Sequence, residues 1–145
     1  MKIALKRSLG CVAALVILFF AYAAFMVFVS NPKIIEELRT QPHGERAKKV
    51  MLLTFTSGKT IPVNYLEKNG KVYIGADGPW WRQFTDDGAT VTLLIRGNRL
   101  SGHARTILDN PAHVEDIFSR LRPTVPEWLP EWLNGKLVEV VPSQS

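Results

Sequence analysis

The chain has 145 residues, of which 18 are Lys or Arg and 13 are Asp or Glu, giving a formal charge of +5, with a single cysteine. Lone Cys11 excludes an intrachain disulfide framework, which is compatible with a reducing compartment. Setting aside Lys2, Lys6 and Arg7 leaves 15 basic against 13 acidic residues, and the longest basic run beyond them is Lys48-Lys49, so no nucleic-acid partner is expected.

From Leu9 to Val29 the chain runs 21 residues without a charge, close to the ~20 that cross a bilayer as a helix. A cleaved leader is the competing reading, because Lys2, Lys6 and Arg7 form a basic start and Ala21-Tyr22-Ala23 resembles a cleavage site. The apolar run continues to Val29, past the end of an ordinary leader core of about 7–15 residues, which favours a retained single-pass anchor. Basic residues flank both sides, with Lys33, Arg39, Arg46, Lys48 and Lys49 following the run, so charge does not orient it. Cys11 within the run reads as a small apolar packing residue. The expected organisation is an anchor over 1–30, a short helix and linker over 31–48, and a β-rich domain over 49–145.

After the anchor, Asn31-Pro32 reads as a helix start, Asn as cap and Pro at the first helical position, with the helix ending near Thr40. Gln41-Pro42-His43-Gly44 is a linker. Lys49–Phe55 and Thr60–Glu67 read as strands, and Asn69-Gly70 predicts a tight hairpin turn into a third strand over Lys71–Ala76. Breakers at Gly78-Pro79 and Asp86-Asp87-Gly88 bound a short helix or turn at Trp80–Asp87. Thr90–Arg96 and Arg99–Leu108 form a second hairpin with Gly97-Asn98 as its turn. Asn110-Pro111 opens a helix reaching about Arg122, with Val114, Ile117, Phe118 and Leu121 as its apolar stripe. Pro123, Pro126 and Pro130 break the chain around Glu127-Trp128-Leu129 and Glu131-Trp132-Leu133, so Glu127–Leu133 reads as a covering segment, and Lys136–Val141 as a last strand. Two hairpins in so short a stretch predict a mainly antiparallel sheet.

The chemistry concentrates in Ser57-Gly58-Lys59-Thr60 and in Trp80-Trp81-Arg82-Gln83. A glycine-bearing basic turn can hold phosphate oxygens through backbone N–H groups and an ammonium. Two adjacent tryptophans and an arginine can hold a flat ring and a further anion, a combination that suits a flavin-like ligand. Each piece has a plainer reading: the first an ordinary turn, the tryptophans core plugs, and Arg82 a stacking partner or an ion pair with Asp86. Gly58-Lys59-Thr60 matches only the tail of a nucleotide phosphate loop, since Leu53 stands where its first glycine belongs. His43, His103 and His113 lack metal-ligand spacing, so no metal site is expected. Ser57 has no recognisable base partner, and no catalytic residue is assigned.

Taken in order, Leu52–Lys59 with Ile61-Pro62-Val63, then Trp80-Trp81-Arg82-Gln83-Phe84, then Val91–Gly97 with Gly102, resemble the deazaflavin-dependent nitroreductase and quinone reductase family. The resemblance extends over about Met51–Leu121, roughly half of the chain. It implies a mainly β fold with peripheral helices, a split antiparallel β-barrel, here preceded by one transmembrane helix. It also implies a deazaflavin or FMN cofactor, hydride transfer to a quinone or nitro-type acceptor, a cytoplasmic barrel and a homodimer. The cofactor would meet Ser57, Gly58, Lys59, Thr60, Pro62, Trp80, Trp81, Arg82 and Gln83, and the anchor would meet membrane lipid. The chain departs from the family in its shortened Ser57–Thr60 loop and in Gln83-Phe84, where Asn-Leu is usual. These departures leave FMN, another phosphorylated ligand, or a non-catalytic binding barrel as alternatives to the deazaflavin.

The apolar run carries the first prediction. The full-length chain stays in the membrane fraction after carbonate washing, whereas a chain beginning at Asn31 is released; recovery of a mature protein starting near Ala24 would instead mark a cleaved leader.

Overall fold

The computed structural model describes residues 2–126, 128 and 135–143. The chain divides into two compact units, Met1–Glu36 and Glu37–Ser145. The first is helical: α1 (Lys2–Phe25) runs into a wide turn at Met26–Ser30 and on into α2 (Asn31–Thr40). The stretch Gly10–Thr40 is long and apolar enough to cross a membrane, a description that a signal sequence also meets. Val12, Leu15, Ile17, Phe19 and Phe20 all lie exposed along it.

Asn31 does not cap a new helix, contrary to its sequence. Its φ of −61° and ψ of −46° are helical, and its N–H reaches five residues back to the Met26 carbonyl. The cause is Pro32, whose ring crowds the carbonyl of Phe28 four residues earlier and which offers no N–H. A locally widened turn accommodates both defects without breaking the helix.

The second unit is a closed six-stranded antiparallel barrel among the described residues, with strand order β1-β2-β3-β6-β5-β4. Its strands are β1 (Val50–Thr54), β2 (Thr60–Lys68), β3 (Lys71–Ala76), β4 (Ala89–Ile95), β5 (Asn98–Ile107) and β6 (Lys136–Pro142). Each lies within about two residues of its sequence expectation. The expected covering segment Glu127–Leu133 lies outside the described residues except for exposed Trp128.

Alternation fills the barrel. Met51, Leu53, Val63, Tyr65, Val72, Ile74, Val91, Leu93, Ala104, Val138 and Val140 form one buried cluster, drawn from every strand at a spacing of two. The outer face of β3 and β6 is covered by α3 (Pro111–Leu121), through Ile117 against Tyr73 and Leu137. The Asn110 side chain caps α3 as its sequence predicts, its Oδ1 accepting from the His113 N–H at 3.2 Å.

The hairpins set the register. Lys68 pairs with Lys71, and Asn69 and Gly70 both take positive φ, 53° and 74°, as a two-residue turn of right-handed twist demands. In the second hairpin Ile95 pairs with Asn98, so the turn residues are Arg96 and Gly97, with φ of 48° and 83°, rather than Gly97-Asn98. Gly97 serves as second rather than first turn residue. Arg96, in the left-handed region, forms an ion pair with Glu67 of β2.

These registers give the barrel two distinct ends. The β1–β2 turn, a short turn at Pro79–Phe84 and the last residues of β5 share one end. Both two-residue hairpins and the incoming chain share the other, where the Tyr65 hydroxyl donates to the Ala47 carbonyl at 3.0 Å.

A salt bridge from Lys68 to Asp116, 2.7 Å, links β2 to α3, and Arg120 reaches the same carboxylate. The Lys68 hydrogen bond, then that of Arg120, holds the Asp116 carboxyl below its ordinary value near 3.8. A lowered folded-state value favours folding above the unfolded value, and that contribution disappears as pH falls through the lower folded value. Asp116→Asn should therefore lose less stability than wild type between neutral pH and pH values below the ordinary carboxyl range, read by thermal melting across that range.

Candidate functional site

The first predicted segment closes β1 onto β2 as a tight turn. The Phe55 N–H donates to the Lys59 carbonyl and the Gly58 N–H to the Phe55 carbonyl, each at 2.9 Å. Gly58 takes a φ of 85°, the left-handed conformation that ends a three-residue hairpin loop. The Lys59 N–H faces Ser57 Oγ at 3.5 Å, and the Thr60 hydroxyl pairs with that of Thr54 at 2.9 Å. The Gly58 N–H is thus committed to the turn itself. What the loop presents outward is the exposed Lys59 side chain, which has no ion-pair partner among the described residues. Pro62 lies in β2 opposite Leu52, in the part of that strand beyond the reach of the β3 ladder, where a missing N–H breaks no bond to β3.

The second segment is a 3₁₀ turn, Pro79–Phe84, entered through Pro79 at its first position. It buries Phe84 completely and leaves Trp80 and Trp81 partly buried and Arg82 and Gln83 exposed. The Arg82 guanidinium lies over the Trp81 ring, 5.3 Å from its centre, so of its two plain sequence readings the structure shows the stacked one.

Aromatic rings bring the segments together. Phe55, directly before the β1–β2 turn, stacks on Phe84 at 5.8 Å between centres with planes 4° apart, and meets Trp80 edge-on at 5.9 Å. Trp80 also meets Phe84 edge-on at 6.2 Å. Lys59, Trp80, Trp81 and Arg82 accordingly share one end of the barrel. Such an arrangement can stack a planar ring and neutralise an anion beside it.

Two side chains that the sequence did not single out as site residues also hold this end. The Thr106 hydroxyl of β5 donates to the Trp81 carbonyl at 2.7 Å, and His103 Nε2–H donates to the Asp87 carbonyl at 2.7 Å. Gly88 makes the second contact possible: with φ of 73°, a Cβ there would lie 2.3 Å from the Ala104 carbonyl oxygen. Nothing in a threonine within an alternating strand announces such a bond. Its partner is a backbone group 25 residues away.

An open depression lies at the opposite end, lined by His43, Glu67, Ile95, Arg96, Asn98 and Leu100. None of the predicted ligand residues reaches it. Its two central charges, Glu67 and Arg96, already pair with each other.

No protein-family model matches the chain, and no curated protein matches it. Among solved structures, the chain is similar to a protein of Listeria innocua provisionally named pyridoxamine 5'-phosphate oxidase. The two share 18% identity at a TM-score of 0.52, over 78% of this chain and 93% of that one. A FAD-binding protein of Mesorhizobium loti aligns at 13% identity and TM-score 0.40, over 66% of this chain and 82% of that one. A second protein of that provisional oxidase name, from Corynebacterium glutamicum, aligns at 16% identity and TM-score 0.38, over 76% and 81%. The Listeria likeness shows the fold alone, a split antiparallel β-barrel; it does not reach the narrower deazaflavin family.

The two roles within the Pro79–Phe84 turn separate by mutation. Phe84→Ala should cost about 3–5 kcal/mol, the range for emptying a buried aromatic site, whereas Arg82→Ala should cost about 1 kcal/mol or less, as for an exposed cation–π pair. Denaturant unfolding of both variants checks the contrast.

Proposed function

We propose that the barrel binds a flavin-type cofactor, FMN or a deazaflavin, at the tryptophan end and serves as an oxidoreductase passing a hydride to a quinone or nitro-type acceptor. The observation that carries this reading is the Phe55–Phe84–Trp80 cluster, which brings an exposed lysine, a stacked arginine and two tryptophans to one rim. The split-barrel fold supports it. The residues fit the group in kind: Lys59 and Arg82 offer exposed cations for a phosphate-bearing tail, and Trp80 and Trp81, with Pro62, offer apolar surface for a ring.

When bound, the cofactor supplies the redox chemistry. The chain's own part is to hold and orient. Because the Gly58 N–H is spent in its turn, anion binding falls to the Lys59 ammonium and the Arg82 guanidinium, with the Ser57 and Thr60 hydroxyls and the Gln83 amide as neutral partners. Arg82 is already oriented by its stacking on Trp81, which lowers the entropy lost on binding. In the same reading, residues 1–30 anchor the protein in lipid, 31–48 join anchor to barrel, and 49–145 form a cytoplasmic barrel that pairs with a second copy. An anchor suits an acceptor dissolved in the membrane.

One observation favours a second reading, a membrane-tethered binding module without redox function. The turn expected to cradle phosphate uses its Gly58 N–H internally, so the loop lacks the backbone cradle that a tightly held phosphate tail would use.

Titration of FMN and of a deazaflavin into the detergent-solubilised full-length protein, followed by ring fluorescence, tests both readings. Binding by wild type, weakened roughly tenfold to a hundredfold in Lys59→Ala and in Arg82→Ala, is expected for loss of a charge-assisted hydrogen bond of about 1.5–3 kcal/mol. Arg82→Lys should restore little of it, since an ammonium neither stacks nor forks as a guanidinium does. Wild type binding neither cofactor would leave the binding module in place of the oxidoreductase.

A further inference from the structure

The segment from Trp80 to Gly88 hangs from β5 by its two ends. At one end the Thr106 hydroxyl holds the Trp81 carbonyl, and at the other the His103 imidazole holds the Asp87 carbonyl, both at 2.7 Å. These residues sit on opposite faces of the strand, Thr106 buried and His103 exposed. Between the two fastenings the segment is braced locally by the Thr85 hydroxyl on the Arg82 carbonyl, 2.9 Å, and the Gly88 N–H on the Thr85 carbonyl, 3.1 Å.

Tyrosines aside, Thr106 is the one buried polar side chain among the described residues. It occupies an inward row whose other members are Leu100, Gly102 and Ala104, where alternation calls for an apolar side chain. A buried hydroxyl costs free energy unless it is paired, and here its pairing is directed at the residue that carries the Arg82 stack. Gly88 points the same way, since any side chain there would push the segment off Ala104 and His103.

We infer that Thr106 and His103 are positioning residues: together they fix the height and angle at which Trp81 and Arg82 stand over the rim. The inference rests on the cofactor site proposed above. It assigns neither residue a contact with the ligand. Its content is that ring and tail recognition depend on two β5 side chains that act through the backbone of the segment.

The test uses the full-length protein in detergent, with FMN as the probe, and follows amide exchange as well as binding. Thr106→Val should weaken FMN binding about tenfold and speed exchange across Trp80–Gly88 while the barrel strands keep their protection. Thr106→Ser, which keeps the hydroxyl, should restore both. A valine variant that lowers the melting temperature but keeps wild-type affinity and wild-type exchange in that segment would overturn the inference. Should Thr106→Val fail to fold, His103→Ala, at an exposed position, carries the same two measurements with the same expected and overturning results. If wild type binds no FMN, the cofactor reading falls separately. Exchange then decides alone: faster exchange confined to Trp80–Gly88 in the valine variant and not in the serine variant supports the anchoring, and unchanged exchange overturns it.

Discussion

The near-parallel stack of Phe55 on Phe84 is the contact on which the candidate site depends. Strand pairing closes the barrel without it, because the ladder bonds belong to the backbone. No ladder, however, joins the β1–β2 turn to the Pro79–Phe84 turn, whose own side-chain fastening runs to β5 through Thr106 and Trp81. Ring burial supplies that connection, and its geometry adds orientation, since aromatic pairs are worth about 0.5–1.5 kcal/mol beyond area alone. With both rings buried, at 5% and 1% exposure, the stack is screened from water and holds one arrangement.

The filled interior is the second constraint. Met51, Leu53, Ile74, Leu93, Val138 and Val140 are fully buried and occupy the barrel axis. A six-stranded barrel of this kind has room for side chains and none for a ligand. Any ligand of the barrel would therefore sit on a rim or an outer wall, where turns rather than strands decide which groups are shown. Under the proposed function, a short 3₁₀ turn and a three-residue loop therefore present the ligand-facing groups, and the long strands between them carry those turns.

Much of the fold was legible because it is written locally. Apolar residues, alternating in β2 and β4 and continuous in β1, mark the strands, and Asn69-Gly70 admits few conformations other than the one observed. Gly97 was legible as a turn residue but not in its position, since glycine serves either place in a two-residue turn; the pairing of Ile95 with Asn98 decides between them, and that is a property of the sheet. Asn31-Pro32 misled for a related reason. The same dipeptide that begins a helix after a loop can lie inside one when the preceding turn widens, and the helix running from Lys2 to Ser30 favours continuation. At the site, the tryptophans and basic residues were visible by type. The contact that joins them was not, because it runs through Phe55, which in sequence is only the last apolar residue of a strand.

The widened turn at Met26–Ser30 has a consequence for hydration. Pro32 gives no N–H to the helix and so removes one backbone donor from that turn, and Ser30 and Asn31 beside it are polar. An unmet carbonyl is costly in hydrocarbon and harmless in water or among lipid head groups. In a bilayer, a helix short of one donor at that level would carry a depth mark in its main chain as well as in its side chains, favouring a position in which Ser30–Pro32 stay out of the oily layer. Vertical slippage of this helix would be resisted at that level by the backbone itself.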